Sequence, residues 1–228
     1  MKRWVSYGEC ALCGKRCSKA AISRHLKKCS ASQPQNGKAV RLLHLRIEGR
    51  HQPGYWLNLE IPAAASLQDL DSFLRFFWLE CCGHLSSFHI RDVEYTAPMN
   101  GGMDDIGLGL WEPKPVRKMN VRLYDAVPQD GAWFSYQYDF GSTTELKIRL
   151  VGERKGSIGA AGQALLARNE APQHPCSKCP QPATQVRTEC DYGEDPFFCD
   201  QHAERDCCEE SLLPVVNSPR MGVCGYTG

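Results

Sequence analysis

The chain has 228 residues, of which 42% are hydrophobic and 23% charged, and its formal net charge at pH 7 is +1. This composition is that of an ordinary globular protein, and no apolar run reaches the roughly 18 residues that a membrane-spanning helix needs. The opening MKRWVSYGEC lacks the apolar region of a secretory signal, so we expect a cytoplasmic protein with no membrane partner. The chain has thirteen cysteines, and in a reducing compartment close cysteine pairs more often hold metal than form disulfides.

The charge is distributed unevenly along the chain. Residues 1–30 carry eight Lys or Arg and one Glu, whereas residues 176–228 carry four basic and nine acidic residues. The middle of the chain is close to neutral. A basic beginning and an acidic end suggest that the two ends meet different partners.

The first predicted element is a zinc finger within residues 1–30. Cys10 and Cys13 have the spacing of a metal-binding knuckle, and His25 and Cys29 follow at a spacing of four. A helix that begins at Ser18 and runs through Cys29 would place the last two ligands on one face, which completes a tetrahedral set for zinc. A segment this short has almost no core, so the ion would supply most of its stability.

The finger is also basic, and its single acidic residue does not balance its charge. One interpretation is loose, nonspecific contact with DNA or RNA phosphates, and the other is a soluble surface on a structural or protein-docking module. Sequence-specific reading is disfavoured, because the helix offers Ala20 and Ala21 where base-contacting side chains would be needed. The six basic candidates are Lys15, Arg16, Lys19, Arg24, Lys27 and Lys28.

After a polar linker at residues 31–38, the chain is predicted to form an α+β domain over residues 39–155. AVRLLHLRIEG and YWLNLEI alternate as a hairpin, and SLQDLDSFLRFFWLE has helical periodicity with Ser66 as its N-cap and Asp69 behind it. HLSSFHIRDVEYT, AWFSYQYDFG and TTELKIRLVGE are read as further strands, and the intervening Gly- and Pro-rich stretch as a loop. The predicted fold is a central mixed or antiparallel sheet with one packed helix, flanked by small zinc modules at both ends.

Two of these stretches carry a family resemblance. HLSSFHI after an aromatic helix, together with YQYDFGSTTELKIRLVGE, resembles the plasmid Ri open-reading-frame-three-like family, also described as insertion-element passenger proteins. The resemblance covers about residues 39–155 and implies an α+β fold and a link with plasmids and transposable elements, but no established chemistry. In the commoner family pattern YDFG precedes DSWEH, whereas STTEL stands here, so any role of that histidine is absent. The final LLPVVNSPRMGVCGYTG resembles the tail of a zinc-bearing subset of the family.

The YDFG strand end has two interpretations. It is a structural strand terminus, or it belongs to a ligand surface built from His84, Asp139 and Glu145. No nucleophile with a converging acid and base is evident in the sequence, so enzymatic activity is disfavoured but left open.

Beyond a linker or edge element at residues 156–175, residues 176–228 are predicted to form a second zinc module. Two pairs, Cys176 with Cys179 and Cys199 with His202, can share one ion. A second ion at this end could use remaining cysteines and Asp206, but Arg187 stands at the position three before Cys190 where a paired ligand is expected. These candidates are Cys190, Cys207 and Cys208.

The sequence therefore predicts two zinc ions and leaves a third open. The favoured hypothesis is a non-enzymatic adaptor associated with a mobile element, which contacts nucleic acid loosely through the finger and docks an unknown protein through the rest. The alternatives are an interaction scaffold with purely structural zinc, and an enzyme of unknown reaction on the central domain.

Overall fold

A computed structural model describes residues 5–33, 37–97, 115–159, 162–188, 196–203 and 211–228. They form an α+β fold with a ten-stranded sheet and a separate three-stranded sheet. The strands are β1 Tyr7–Cys10, β2 Arg16–Ser18, β3 Val40–Gly49, β4 Trp56–Pro62, β5 Ser86–Ile90, β6 Val93–Thr96, β7 Val116–Lys118, β8 Phe134–Tyr138, β9 Thr144–Gly156, β10 Ala164–Asn169, β11 Gln185–Arg187, β12 Phe197–Phe198 and β13 Leu212–Pro214. The helices are α1 Ile22–Ala31, α2 Leu67–Leu74, α3 Leu123–Ala126 and α4 Asp200–Ala203, and a π-helical turn, Arg75–Leu79, continues α2.

The large sheet has the order β2-β1-β10-β4-β3-β9-β8-β5-β6-β7. All neighbours are antiparallel except β6 and β7, which are parallel. The predicted hairpins β3–β4 and β8–β9 are confirmed. The three-stranded sheet, β12-β11-β13, carries the C-terminal module.

Strand β3 is buried on both faces, and its alternating sequence explains how. Leu43, Leu45 and Ile47 point into the main core, where they share one hydrophobic cluster with α2. The next residues along the strand point to the opposite face. There Arg46 donates to Glu48, with Nε 2.7 Å from Oε1, and both side chains are almost fully buried.

Helix α2 covers the apolar face as its periodicity predicts. Its buried residues include Leu70 and Phe73, and Trp78 of the π-helical turn extends the same contact. The predicted N-cap is confirmed, because Ser66 Oγ accepts from the Asp69 amide and the Asp69 carboxylate accepts from the Ser66 amide.

The N-terminal segment is the second cover of the sheet rather than a detached finger. Strand β1 pairs with β10, and Ile22 and Leu26 of α1 pack on the fully buried Trp56 of β4. Helix α1 begins at Ile22 with Ala21 as a bare N-cap, so the expectation that Ser18 caps it was wrong, because Ser18 ends β2. The five-segment division of the chain stays a prediction.

One stretch folds differently from expectation, and a second takes one of the two forms that the sequence left open. HLSSFHIRDVEYT was expected as one strand but forms the hairpin β5–β6, which reverses at Arg91 with a φ of 54° and pairs Phe88 with Tyr95. The stretch around Leu165, ambiguous in sequence, is strand β10, which joins β1 to β4. The expected Gly- and Pro-rich loop falls almost wholly outside the described residues. Among the described residues, no helix has the length and apolar character needed to cross a bilayer.

Candidate metal centres

The structure brings together the four predicted N-terminal ligands. Cys10 ends β1, Cys13 follows in a turn closed by the Gly14 amide on the Cys10 carbonyl at 2.8 Å, and Gly14 adopts a φ of +72° that favours glycine. His25 and Cys29 lie one turn apart on α1, as predicted. Cys10 Sγ is 3.9 Å from Cys29 Sγ, and Cys13 Sγ is 3.3 Å from His25 Nε2.

These separations can be compared with those around a tetrahedral ion. With metal–sulfur bonds of about 2.3 Å and metal–nitrogen bonds of about 2.0 Å, two sulfurs lie about 3.8 Å apart and a sulfur and a nitrogen about 3.6 Å apart. All four N-terminal ligand atoms lie within 4.8 Å of one another. The cluster can therefore hold a metal ion without rearrangement of its backbone.

Crowded thiols in this cluster affect one another's ionisation. Desolvation, and then hydrogen bonding with Cys13 and Cys10, raises the pKa of Cys29 to about 11. The Lys15 backbone amide lowers the pKa of Cys13. The thiolate is the form that ligates a metal, so binding of a cation here would displace the thiol protons and offset the repulsion among the thiolates.

The four predicted C-terminal ligands also converge. Nδ1 of His202 lies 3.5 Å from Cys176 Sγ and 3.3 Å from Cys199 Sγ, and Cys179 Sγ is 3.8 Å from Cys199 Sγ. Against the effect of desolvation, backbone amides of Cys199 and Lys178 lower the pKa of Cys176 to about 6, so a thiolate is available at neutral pH.

A third cluster of the same kind, which the sequence reasoning missed, lies between the central sheet and the chain's tail. Its members are Cys81, Cys82, His84 and Cys224, with ligand atoms within 4.8 Å of one another. Nε2 of His84 is 3.2 Å from Cys224 Sγ. Three Cys/His clusters among the described residues could thus hold metal ions.

Comparison with known proteins places this fold in a family. The family model for the plasmid pRiA4b ORF-3-like protein matches residues 40–181, which is more than half of the chain. The chain belongs to the plasmid pRiA4b ORF-3-like family. The match covers β3 to β10, eight of the ten strands of the large sheet, and the third cluster draws three of its four residues from that matched segment and one from the tail.

A solved structure is also similar to this chain. It is the crystal structure of a protein of unknown function from Methanosarcina mazei Go1, with a TM-score of 0.43 and 18% sequence identity. The alignment covers 53% of this chain and 65% of that one, so it spans just under two thirds of the other protein's length. No curated protein matches the chain.

Within this member of the plasmid pRiA4b ORF-3-like family, two of the six basic candidates are engaged internally. Lys19 Nζ donates to Glu48 Oε2 at 2.9 Å and to the Pro53 carbonyl at 2.7 Å, so it is part of the contact between the N-terminal segment and the sheet. Arg16 pairs with both carboxylate oxygens of Glu170. Lys15, Arg24, Lys27 and Lys28 are exposed.

The proposed ligand surface of the central domain is only partly assembled. His84 Nδ1 lies 3.6 Å from Asp139 Oδ1, so these two residues do meet. Glu145 does not join them, because it pairs with Arg50 and His51. Its neighbour Thr144 faces the Asp139 side, and successive residues of a strand point to opposite faces.

The tail of the chain contacts the YDFG strand end through a buried arginine. Arg220 is fully buried and donates from Nη2 to Asp139 Oδ2 at 2.7 Å and from Nη1 to Thr144 Oγ1 at 3.0 Å. It also lies over the Tyr138 ring at 4.8 Å. The Asp139 carboxylate therefore binds the tail through Arg220.

One surface cleft lies at α2 and borders the predicted ligand surface, because its lining residue Arg75 donates from Nη1 to the His84 carbonyl at 2.8 Å. At its base, Asp71 is almost fully buried and accepts from Ser86 Oγ at 2.6 Å and from the Tyr136 hydroxyl at 2.7 Å. These contacts fasten α2 to β5 and β8. The cleft is lined by Gln68, Asp71, Ser72, Arg75, Phe76, Glu80, Ala97 and Gly228.

The remaining sequence candidates lie outside the described residues. Cys190, Cys207 and Cys208 were considered as a second C-terminal metal site, and that prediction stays open. For the third cluster a sequence signal did exist. Cys81 and His84 have the same spacing as Cys199 and His202, but no second pair lies nearby in the chain to complete the set.

Proposed function

We propose that this chain is a non-enzymatic, zinc-containing binding protein whose N-terminal segment contacts nucleic acid phosphates without reading sequence. Zinc is favoured because three thiolates and one imidazole are soft ligands in a tetrahedral arrangement. In this proposal the two terminal ions are structural. The ion at Cys10, Cys13, His25 and Cys29 holds helix α1 in the orientation that exposes its basic side.

The observation that carries the proposal is the division of α1 into two faces. Ile22 and Leu26 are fully buried against the sheet. Arg24, Lys27 and Lys28 are exposed, and spacings of three and four residues place them on one side of the helix. Among the residues that the structure describes, this side carries no acidic residue, because α1 contains none.

Such a face suits the phosphate backbone better than base edges. Lysines and arginines on one helical side neutralise phosphates and release counterions whatever the sequence. Base reading requires side chains that reach into the groove, and Ala20 and Ala21, in the turn just before α1, are too short. We therefore expect affinity in the range of about 10⁻⁴ to 10⁻⁶ M at physiological salt.

The test is neutralisation of the four exposed residues, Lys15→Gln, Arg24→Gln, Lys27→Gln and Lys28→Gln, in the full chain. Binding to duplex DNA and to RNA is measured by fluorescence anisotropy over a salt series. If all four residues contact phosphates, the slope of log K against log salt has a magnitude of at most about 3.6 for duplex DNA. The quadruple variant should lose most of that slope.

A charge-matched control removes four exposed basic residues elsewhere, through Arg91→Gln, Arg117→Gln, Lys118→Gln and Lys155→Gln. Arg117 and Lys118 lie on β7, at the opposite sheet edge from β2. The control should bind nearly as the native chain does. Equal losses in both variants, or binding that does not respond to salt, would remove the nucleic-acid proposal and leave the interaction scaffold with structural zinc.

Three further parts complete the proposal. The family description refers to a plasmid reading frame, which supports a mobile-element setting. The protein is cytoplasmic in this proposal, and its acidic C-terminal module docks a protein partner. The enzyme alternative has its best location at the Asp71 cleft, and it would be favoured by a ligand that protects α2 from hydrogen exchange.

A further inference from the structure

We propose that Cys81, Cys82, His84 and Cys224 bind a third zinc ion, which fastens the tail of the chain to the end of strand β8. This site is distinct from the two terminal ions of the proposed function. It joins a short loop after the π-helical turn to a residue 140 positions from His84. Four features of its surroundings support it.

The first feature is the loop itself, which is shaped to present three ligands. Gly83 adopts a φ of +72°, so the chain can reverse between Cys82 and His84. Glu80 holds the loop from behind, because its Oε1 accepts from the Gly83 amide at 2.6 Å and from the Tyr138 hydroxyl at 2.9 Å. Arg75 donates to the other oxygen of Glu80 at 2.7 Å.

The second feature is the orientation of His84. Its Nε2 points at Cys224 Sγ, 3.2 Å away, while its Nδ1 lies 3.6 Å from Asp139 Oδ1. A metal-bound histidine commonly directs its other nitrogen to a carboxylate, which fixes the ring and raises the basicity of the ligating nitrogen. Asp139 stands in the position for that role.

The third feature is charge compensation. Three thiolates around Zn²⁺ leave one net negative charge, which is costly beside a hydrophobic core. Arg220, fully buried, donates from Nη2 to Cys81 Sγ at 3.4 Å while the same group contacts Asp139. The guanidinium therefore stabilises a thiolate ligand and the carboxylate beside His84 together.

The fourth feature is the backbone at Cys224. This residue has a φ of 50°, a left-handed conformation that side-chain-bearing residues seldom adopt. Strain of this kind persists where the surroundings enforce it and is concentrated at functional sites. A metal–sulfur bond would hold Cys224 in this conformation, with its thiol directed towards the loop.

The ion would be the second fastening of the tail. Upstream, Ser218 Oγ donates to the Trp78 carbonyl at 2.7 Å, and Trp78 Nε1 donates to the Asn217 carbonyl at 3.1 Å. Zinc at Cys224 would fix the chain after Arg220, as Asn217 and Ser218 fix it before Arg220. The buried guanidinium would then lie between two attached segments of the tail.

The test counts metal ions on the full, reduced chain by native mass spectrometry and elemental analysis. Cys224→Ser and His84→Gln should each carry one zinc fewer than the native chain while both terminal ions remain. Cys17→Ala and His51→Gln serve as matched controls, because neither residue belongs to a cluster, and they should keep the native count. A further variant changes Cys190, Cys207 and Cys208 to Ser. It should keep the native ion count, because the third ion is bound elsewhere.

Thiol protection gives a second readout that does not depend on a variant folding. With zinc bound, Cys81, Cys82 and Cys224 should resist alkylation, and a chelator should expose them. Trypsin cleavage after Arg220 isolates Cys224 as the single cysteine of residues 221–228, so its modification can be read directly. An unchanged ion count in both variants, or equally rapid alkylation of Cys224 with and without chelator, would overturn the proposal.

Discussion

At the scale of single residues, the contact between Asp139 and Arg220 gives the YDFG stretch its structural meaning. Asp139 adopts a φ of 64°, tolerated by aspartate, and its Oδ1 accepts from the Gly141 amide at 3.0 Å. The hydrogen bond from Arg220 lowers the pKa of the Asp139 carboxyl. A carboxyl with a lowered pKa stabilises the fold above its unfolded-state pKa, and that contribution is lost as pH falls through its folded-state pKa.

The residue-scale prediction is that Arg220→Met destabilises the protein by about 3 kcal/mol at neutral pH. The change leaves the buried Asp139 carboxylate without its partner, and breaking a buried pair costs about this much. Denaturant unfolding in zinc-saturated buffer measures the loss.

Arg122→Met is the control for that measurement. Arg122 pairs with Asp125 at 2.8 Å, but both side chains are largely exposed. Exposed pairs contribute about 0 to 1 kcal/mol. If the two arginine variants lose similar amounts of unfolding free energy, the Arg220–Asp139 pair contributes no more than an exposed ion pair.

At the scale of elements, α1 and α2 depend on different things for their stability. Helix α2 has a complete capping box and a broad apolar face on the sheet. Helix α1 has ten residues, a bare Ala21 at its N-cap and no acidic residue in its first turn. A helix of this length is marginal alone in water. The contact with Trp56 therefore supplies stability that the isolated helix lacks, and a metal ion bound by His25 and Cys29 would add to it.

The element-scale prediction concerns the cap of α2. Ser66→Ala should lower the free energy of unfolding by about 1 kcal/mol, because the Asp69 amide loses its acceptor. Ser72→Ala is the matched change inside the same helix, at an exposed position whose hydroxyl bonds only within the helix. It should be neutral or slightly stabilising, since alanine is the better helix former. Equal effects on thermal unfolding would contradict the role of the cap.

At the scale of the whole molecule, the sheet has two different faces and two different covers. The face under α2 is apolar, whereas the face under α1 carries a buried polar network of Arg46, Glu48 and Lys19 around Trp56. Lys19 and Arg46 contact the same carboxylate, so the N-terminal segment is anchored by charge as well as by its candidate metal site. All three Cys/His clusters involve a chain end. One lies in the N-terminal segment, one lies within the C-terminal module, and the third joins the tail to the loop after the π-helical turn.

The prediction at this scale concerns metal removal. A chelator should raise hydrogen exchange in α1 and around Cys176 and Cys199, while β3 and β9 in the sheet centre stay protected. Acidification should act in the same direction, because metal binding displaces the Cys29 proton, whose pKa is about 11 in the metal-free cluster. The metal affinity of that cluster should fall by at least about tenfold per pH unit below neutrality.

Hydrogen–deuterium exchange with mass spectrometry checks this prediction, and chelator-treated protein reloaded with zinc is its control. Protection should return on reloading. If the chain ends keep full protection without metal, the contacts with the sheet alone account for their stability.

The sequence by itself determined whatever depends on neighbours within about one turn or one strand. The spacing of Cys10 with Cys13 and of His25 with Cys29, the capping box at Ser66 and the alternation of β3 are of this kind, since side-chain direction follows from local backbone geometry. Only the tertiary structure decided which distant elements meet. It turned Lys19 inward to Glu48, set Glu145 on the opposite face from Asp139, and brought Cys224 to His84. Such contacts depend on strand order and on the path of the tail, and no local periodicity encodes either.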